Sequence, residues 1–377
     1  MARSAHAYVR GSTSKFYEWL GAQKQHSLPE GPAVWICGDC HAGNLGPVAD
    51  AKGRVEIQIR DFDQTVIGNP AHDLIRLGLS LATAARGSNL PGVTTAKILE
   101  EMIVGYSQAL TRKEDEHETR PKAVGVAMKR AVARTWKHLA KERIENTQPA
   151  IPLGAKFWPL ASAERVVVKR LFQEENLREL ATLLRSRPNE ASVKLVDAAY
   201  WVKGCSSLGR LRLAVLLEVN GKGKGELCLM DVKEATAPAA PRYEACVMPR
   251  DNAKRVVKGA SSLSPFLGER MRPAKLLNKP VFIRELLPQD LKLEIENLTR
   301  PQAMKAARYL AGVVGHAHAR QMNAGMRDEW LKELGRARSK SLDAPSWLWS
   351  SVVALMASHE TAYLEHCRTY AAQSDSN

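Results

Sequence analysis

Acidic and amide side chains are concentrated at two predicted strand ends early in the chain. Asp39 and Asn44 share a short loop that contains glycine, and Asp61 and Asp63 follow the next predicted strand. Carboxylate and amide oxygens bind Mg²⁺, and a carboxylate can orient or deprotonate an attacking hydroxyl. Isolated Asp and Asn residues more often cap turns. The combined spacing of these four residues nevertheless favours a metal-assisted phosphate site.

The first of these loops also contains the pattern Cys37-x-x-Cys40-His41, which is found in haem attachment sites and in zinc sites. Covalent haem requires export, and the sequence begins with no apolar segment typical of a signal peptide. Zinc requires a second ligand pair with similar spacing, which the sequence lacks. Neither alternative accounts for Asp39 and Asn44. We therefore expect Cys37 to be a buried thiol and His41 to lie near phosphate or substrate.

A second candidate element lies about 150 residues further on, in a glycine-rich turn between two predicted strands. Its candidate phosphate-binding residues are Gly204, Ser206, Ser207 and Gly209. Such turns let backbone N–H groups approach a phosphate without a side-chain clash. Lys233 ends the third strand of this region, where a lysine can reach nucleotide phosphates. A strand-end lysine alone is more often a solvated charge, and the turn beside it favours function.

Hydrophobic periodicity predicts the elements that must position these residues. The predicted strands are 33–37, 54–60, 198–202, 210–219, 226–233 and 281–286, with 33–37 and 54–60 joined as a hairpin by a turn at Gly53. The predicted helices are about 12–26, a helix that starts at Asn69-Pro70, and 94–110, 121–144, 162–185, 253–263, 301–322, 329–338 and 346–369. Two histidines on the helix 301–322, His316 and His318, cannot both bind one metal, and we expect one of them to face the core.

Composition sets the class of protein. The chain has 377 residues, 45% of them hydrophobic and 25% charged, which is typical of a soluble globular protein of two lobes or domains. No apolar run is long enough to span a membrane, and the six cysteines show no disulfide framework, so a cytoplasmic location is expected. The net charge of +15 favours acidic partners such as nucleotides or nucleic acid, without choosing among them.

The motifs around Asp39 and Asp61 resemble those of aminoglycoside and choline phosphotransferases. In that resemblance Gly38–Asn44 is the catalytic loop, Asp61 lies in the metal-binding motif, and Asp73 braces the loop. The whole chain is similar to the bacterial family catalogued as domain of unknown function 2252, whose members are kinase-like. The resemblance implies Asp39 as the base or orienting carboxylate, Asn44 and Asp61 as catalytic metal ligands, and Asp63 as a second-choice metal ligand.

The same resemblance implies a nucleotide-binding lobe in the second half of the chain. The glycine-rich turn would cover the phosphates, Lys233 would bind them, and backbone groups between Glu285 and Leu287 would meet adenine. Kinases pair this lysine with a glutamate on the next helix, and the helix 253–263 has none. We therefore consider two alternatives: the pair is absent, or one of three other acids is the partner, namely Glu244, Glu269 or Glu285.

The expected fold is α+β, a bilobal protein-kinase-like fold in circularly permuted order, because the catalytic loop precedes the nucleotide lobe. The expected parts are 1–110 for the catalytic-loop region, 111–192 for a helical insertion or bridging region, 193–300 for the small lobe and 301–377 for the C-terminal helices. The expected function is phosphoryl transfer from ATP, with Mg²⁺, to a hydroxyl of an acceptor. The alternatives are transfer of AMP by the same fold, or a degenerate basic module that binds nucleic acid or another acidic partner.

Overall fold

The computed structural model shows an α+β protein, as the sequence predicts. It describes residues 5–24, 27–87, 90, 92–111, 120–134, 150–184, 186–187, 190–203, 209–220, 225–291, 298–336 and 344–374. Among the helices of these segments, we find none with the length and apolar character that crossing a membrane requires.

Helices and strands are mixed along the described chain. The helices are α1 (Ala5–Gly11), α2 (Thr13–Gly21), α3 (Pro70–Gly87), α4 (Gly92–Thr111), α5 (Lys122–Ala133), α6 (Ser162–Leu171), α7 (Glu175–Thr182), α8 (Asn252–Leu263), α9 (Pro265–Glu269), α10 (Arg300–Ala319), α11 (Ala324–Leu334) and α12 (Ser346–Ser374). The strands are β1 (Val34–Ile36), β2 (Leu45–Ala49), β3 (Val55–Ile59), β4 (Val66–Gly68), β5 (Phe157–Pro159), β6 (Ser192–Trp201), β7 (Arg212–Asn220), β8 (Glu226–Glu234), β9 (Met271–Leu276) and β10 (Lys279–Glu285).

A six-stranded antiparallel sheet lies in the middle of the chain, with its strands in the order β5-β6-β7-β8-β10-β9. The central strands β7 and β8 are rich in Val and Leu, and both have long runs of consecutive buried residues. Such runs indicate that both faces of the sheet are covered. The helices α6 and α7 contribute Val168 and Leu177 to the core of the sheet.

A second core contains residues of α3, α4, α10 and α12 together with β1 and β3. The helices α4 and α10 approach closely because each has a glycine at the contact. A Cβ on Gly105 would stand 2.0 Å from the carbonyl oxygen of Arg308, and a Cβ on Gly315 would stand 2.9 Å from that of Tyr106. This close approach brings the end of α10 to the candidate site.

The strands that flank the candidate site pair differently from the sequence prediction. The sequence predicts a hairpin of 33–37 with 54–60, which is wrong, because β1 pairs with β4 and β2 pairs with β3. The turn at Gly53 joins β2 to β3, and its φ of 83° suits glycine. The strand β2 contains Gly46 and Pro47, residue types that are depleted in strands, so its sequence does not predict a strand.

The stretch 111–192 contributes to both cores. Val124 of α5 lies in the core of α3 and α4, and Leu171 of α6 lies in the core of the sheet. The predicted helix 121–144 ends at Ala133, and residues 135–149 are outside the described residues. The predicted helix 162–185 is two helices, α6 and α7, with a break between them.

Candidate active site

The loop after β1 folds back on itself and brings Asn44 to Asp39. His41 N–H donates to the Asp39 carbonyl (2.9 Å), and Asn44 N–H donates to the His41 carbonyl (2.8 Å). The amide nitrogen of the Asn44 side chain donates to the Asp39 carbonyl (2.9 Å). The turn requires glycine at position 38, where φ is 75° and a Cβ would lie 2.3 Å from the carbonyl oxygen of Gln64.

The carboxylate of Asp39 is held by two side chains. Oδ1 accepts a hydrogen bond from Nε of Arg76 (2.8 Å), and Oδ2 accepts one from the Thr13 hydroxyl (2.8 Å). Arg76 is fully buried on α3, and the Asp39 side chain is 18% exposed. Arg76 also donates to the Val9 carbonyl (2.8 Å), so it ties the N-terminal helices to the loop.

Asp73, at the start of α3, lies under the loop. Its Oδ2 accepts a hydrogen bond from Cys37 N–H (2.7 Å), and its Oδ1 accepts one from Gly38 N–H (2.9 Å). Because Asp73 is fully buried, water does not compete for these bonds. The backbone immediately before Asp39 is therefore held by a carboxylate on a helix.

A buried chain of hydrogen bonds supports Asp73 in turn. Nε2 of His318 lies 3.3 Å from Asp73 Oδ2, Nδ1 of His318 lies 2.9 Å from the Tyr106 hydroxyl, and Trp330 Nε1 donates to that hydroxyl (3.1 Å). A carboxylate only accepts, so in the neutral imidazole Nε2 of His318 donates to Asp73 and Nδ1 accepts from the Tyr106 hydroxyl, which in turn accepts from the indole N–H of Trp330. His318 is the core-facing histidine of the pair, whereas the sequence showed nothing of its contacts with Tyr106 and Trp330.

The second acidic loop meets Lys233 of β8. Lys233 Nζ is hydrogen-bonded to Asp63 Oδ2 and lies 3.8 Å from Asp61 Oδ1. Lys233 is 7% exposed and Asp61 is 46% exposed, so the loop opens to solvent on the Asp61 side. Phe62, between the two acids, is buried and anchors the loop in the core.

The charges of this cluster act strongly on one another. Burial and the charge of Asp61 raise the pKa of Asp63. Burial opposes ionisation of Asp61, but Lys233 and Arg284 lower the pKa of that carboxyl. Burial likewise opposes the charge of Lys233, and the two carboxylates outweigh it and raise the lysine pKa. Two acids thus share one lysine at close range, an arrangement that favours a further cation.

His41 lies close to both acidic loops. Burial lowers its pKa to about 4, although the charges of Asp39 and Asp61 oppose this change. His41 is therefore neutral near pH 7, and its Nδ1 has no hydrogen-bond partner in the described segments. The sequence expectation that His41 lies near a phosphate or substrate stays a prediction.

Arg255 on α8 holds the backbone of the second acidic loop. Its guanidinium donates to the carbonyls of Thr65, Asp63 (3.0 Å) and Thr236 (2.9 Å). Burial lowers the pKa of Arg255 to about 10, which leaves it charged near pH 7. The helix after Lys233 therefore contributes an arginine that fixes the second acidic loop, and no local sequence pattern points to this role.

Lys233 pairs with the acidic loop and with none of the three glutamates considered from the sequence. Glu285 is bound by the guanidinium of Arg187 through two hydrogen bonds of 2.8 and 3.0 Å. Glu269 accepts a hydrogen bond from Ala51 N–H (2.6 Å), and Glu244 is exposed. The negative charge beside Lys233 thus comes from Asp61 and Asp63 and from none of the three glutamates.

The segment after β10, proposed from sequence to meet adenine, already has internal partners. The Glu285 carbonyl accepts a hydrogen bond from Arg270 (2.8 Å), and Leu286 N–H donates to the Leu229 carbonyl (2.8 Å). Leu287 N–H lies 3.4 Å from an Asp290 carboxylate oxygen, a long hydrogen bond. Leu287 N–H is therefore the most weakly engaged of these three backbone groups.

The face of the sheet that bears Lys233 is strongly basic. Arg212 lies opposite Lys233 in the register of the sheet, and Arg284 lies opposite Asp231. Arg212 donates two hydrogen bonds to Asp231 (2.9 and 2.7 Å), and Arg284 adds two longer ones (3.3 and 3.2 Å). Burial opposes ionisation of Asp231, but the two arginines hold its pKa well below the usual range. The sequence analysis did not identify this cluster.

Of the glycine-rich turn, only Gly209 is described. It is exposed and has a φ of 73°. Gly204, Ser206 and Ser207 lie outside the described residues, so their predicted contacts with phosphate stay predictions.

Cys37 and Cys40 form a buried group with Asp73, in which donor atoms of all three lie within 4.8 Å of one another. A hydrogen bond with Cys40, together with burial, raises the pKa of the Cys37 thiol. The hydrogen bond with Cys37 lowers the pKa of Cys40, but burial and the charges of Asp73 and Asp39 together outweigh that bond and raise the pKa. Metal binding requires thiolates, whereas here Cys37 donates to the Asp61 carbonyl (3.4 Å) and links the two acidic loops.

The fold and the site together define an α+β protein with a braced acidic loop and a lysine delivered from a separate sheet. The chain belongs to a bacterial protein family described as "Uncharacterized protein conserved in bacteria (DUF2252)", whose model matches residues 1–369. No curated protein and no solved structure matches the chain.

Proposed function

We propose that this protein transfers a phosphoryl group from ATP, in the presence of Mg²⁺, to the hydroxyl of an acceptor. The observation that carries the proposal is the contact of Lys233 with Asp63 and Asp61, across 170 residues of sequence. In phosphotransferases a lysine binds the nucleotide phosphates, and acids beside it bind the metal that neutralises them. The contact supports a site built from two distant parts of the chain.

The proposal includes a bilobal, kinase-like fold in circularly permuted order. The six-stranded sheet would be the nucleotide lobe, and the core of α3, α4 and α10 would be the lobe that carries the acidic loops. Three observations support this division, namely the two cores, the antiparallel sheet and the return of α10 to the first core after the sheet. A circular permutation of this kind requires that the chain ends of the unpermuted fold lie close together and that the new ends fall in an exposed loop.

Three side chains fit a magnesium ion. Asp63 Oδ1 is buried and has no hydrogen-bond partner among the described residues, as expected of an atom that lacks its ligand. The amide nitrogen of Asn44 is engaged by the Asp39 carbonyl, so the amide oxygen is the atom that can bind a cation. Asp61 would complete a set of oxygen ligands, which Mg²⁺ prefers. When bound, the ion would neutralise charge on the phosphates.

The other residues orient the reacting groups. Asp39 would accept the proton of the acceptor hydroxyl, because Oδ2 already accepts a hydroxyl hydrogen bond in the structure. Asp73 would keep the loop in place through its two backbone hydrogen bonds. Lys233 would exchange its contact with Asp63 for a phosphate oxygen.

The proposal is tested first by binding. Mg²⁺ with ATP should raise the melting temperature, because a ligand at about 100 times its Kd stabilises the folded state by about 2.7 kcal/mol. ATP without Mg²⁺ should give a smaller shift, since Asp61 and Asp63 would then repel the phosphates. No shift with any nucleotide, with or without Mg²⁺, contradicts the proposal.

The sharper test is Asp61→Asn. We expect this variant to keep its fold, because Asp61 is partly exposed and its charge opposes that of Asp63, and to lose turnover of Mg²⁺-ATP. Formation of ADP is the measurement. The exposed Asp328→Asn is the matched control and should retain turnover. Full activity in Asp61→Asn would exclude the assigned metal ligand.

A second candidate function is a basic module that binds an acidic partner without catalysis. Arg255, in place of the glutamate that kinases use, favours this reading. Binding of nucleic acid would then weaken steeply with salt, and ATP with Mg²⁺ would give no stabilisation.

Transfer of AMP would use the same residues as phosphoryl transfer, and AMP found on the product instead of phosphate would identify it.

A further inference from the structure

The N-terminal helix α2 packs directly on the loop that carries Asp39. Thr13 and Tyr17 are one helical turn apart and therefore lie on the same face of α2. The Thr13 hydroxyl donates to Asp39 Oδ2 (2.8 Å), and the Tyr17 hydroxyl donates to the Gly38 carbonyl. A hydroxyl of the chain itself thus occupies the position that an acceptor hydroxyl requires beside the proposed base.

Thr13 is the middle one of three consecutive hydroxyl residues, and their environments differ. Ser12 is buried, and its hydroxyl donates to the Tyr8 carbonyl (2.7 Å). Ser14 is exposed. Thr13 is half-buried and reaches Asp39. The fold therefore selects one hydroxyl of the three.

We propose that Thr13 is a self-acceptor, which the protein phosphorylates in its own active site with a nucleoside triphosphate as donor. The inference rests on the proposed phosphotransferase function. In this step the Thr13 oxygen bonds to the γ-phosphorus of ATP, and the bond from that phosphorus to the β–γ bridging oxygen breaks. ADP leaves with the electron pair, and the hydroxyl proton passes to Asp39 and then to water.

The surroundings of Thr13 suit a phosphate. Thr13 is the first residue of α2, where a helix favours negative charge, and the Ser12 side chain does not cap this helix. Nη1 of Arg76 is buried and has no hydrogen-bond partner in the described part of the chain. The Arg10 guanidinium lies beside the same loop, where a Cβ on Gly43 would be 2.9 Å from it. Arginines bind phosphate oxygens strongly.

Phosphorylation at Thr13 would close the site. The phosphate would stand beside Asp39 Oδ2, where an external acceptor has to bind, and Arg76 and Arg10 would offset its repulsion by that carboxylate. We therefore expect one phosphate per chain, followed by slower transfer to any other acceptor.

The experiment starts from phosphatase-treated full-length protein incubated with Mg²⁺-ATP. Intact mass spectrometry should show addition of one phosphoryl group, and fragmentation should place it on Thr13 and on neither Ser12 nor Ser14. Because the reaction is intramolecular, the fraction modified at a given time should not depend on protein concentration. Thr13→Ser should still be modified, Thr13→Val should not, and Ser14→Ala should behave as the parent protein.

The outcomes separate this inference from the function on which it rests. Formation of ADP or stabilisation by Mg²⁺-ATP without phosphate on Thr13 overturns the self-acceptor and leaves the phosphotransferase. Absence of ADP formation, stabilisation and phosphorylation overturns both. Phosphate on Thr13 at a rate that rises with protein concentration overturns modification within the same chain. If Thr13→Val fails to fold, mapping on the parent protein and on Thr13→Ser still decides the question.

Discussion

Replacing Tyr106 with phenylalanine should lower the free energy of unfolding by about 3 kcal/mol. The change removes the hydroxyl that accepts from Trp330 and donates to His318, and both partners are buried, with 1% and 0% exposed. Each buried polar group left unpaired costs about 1–3 kcal/mol. The two costs together amount to a substantial part of the roughly 5–15 kcal/mol that stabilises a typical protein.

Urea unfolding is the assay, and Tyr243→Phe is the matched control. Tyr243 makes a single half-buried hydrogen bond to the Gly31 carbonyl (2.9 Å), so its loss should cost only about 1 kcal/mol. Hydrogen exchange adds a second reading, because weaker support of Asp73 should speed exchange of the Cys37 and Gly38 amides in Tyr106→Phe alone. Equal losses of stability in the two variants would refute the reasoning that the buried chain supports the loop.

Two further predictions concern a charge and a backbone angle. Asp231→Asn should destabilise the protein at about pH 7, and the difference in stability from the parent should shrink below about pH 4. Burial opposes the charge of Asp231, but Arg212 holds its pKa well below the usual range, so its ion pairs persist until the carboxylate is protonated. Urea unfolding measured against pH tests this, and a pH-independent difference would contradict it. Gly38→Ala should lower the stability more than Gly53→Ala. Both glycines have a positive φ, but only at Gly38 would the new Cβ lie 2.3 Å from a carbonyl oxygen. Calorimetry that shows equal losses of stability would contradict the described loop.

Elements with a strong hydrophobic period could be predicted from the sequence. The helices α3, α4, α8 and α10 and the strands β7, β8 and β10 lie within a few residues of their predicted ranges. The strands β2 and β9 were missed because each contains proline, Pro47 and Pro273, which lowers strand propensity and is tolerated at a sheet edge. The helix α1 was missed as well, because seven residues are too few to show a period.

Some features of the candidate site follow from neighbouring residues in the sequence, and others depend on residues far apart in the chain. The two acidic loops were predictable, because the spacing of Asp39 and Asn44 is set within a few residues. The contacts that hold them are distant in sequence, such as His318 with Asp73 and Arg255 with the Asp63 carbonyl. Only packing of α8 and α10 against the loops creates such contacts, and no local pattern records it.

The pairing of Lys233 with the acids has a consequence for how the proposed site would bind its ligands. Lys233 carries a single positive charge, so a phosphate bound to it would compete with Asp63 for that charge, although the three N–H donors of the lysine can contact both groups. A phosphate at Lys233 would therefore weaken the charge compensation of Asp63, which is largely buried, while Arg284 continues to act on the more exposed Asp61. A divalent cation on Asp61 and Asp63 restores that compensation, so nucleotide and metal should strengthen each other's binding. Arg255 fixes the backbone of the acidic loop, so Lys233 can be shared between that loop and the proposed phosphate without loss of the loop's position.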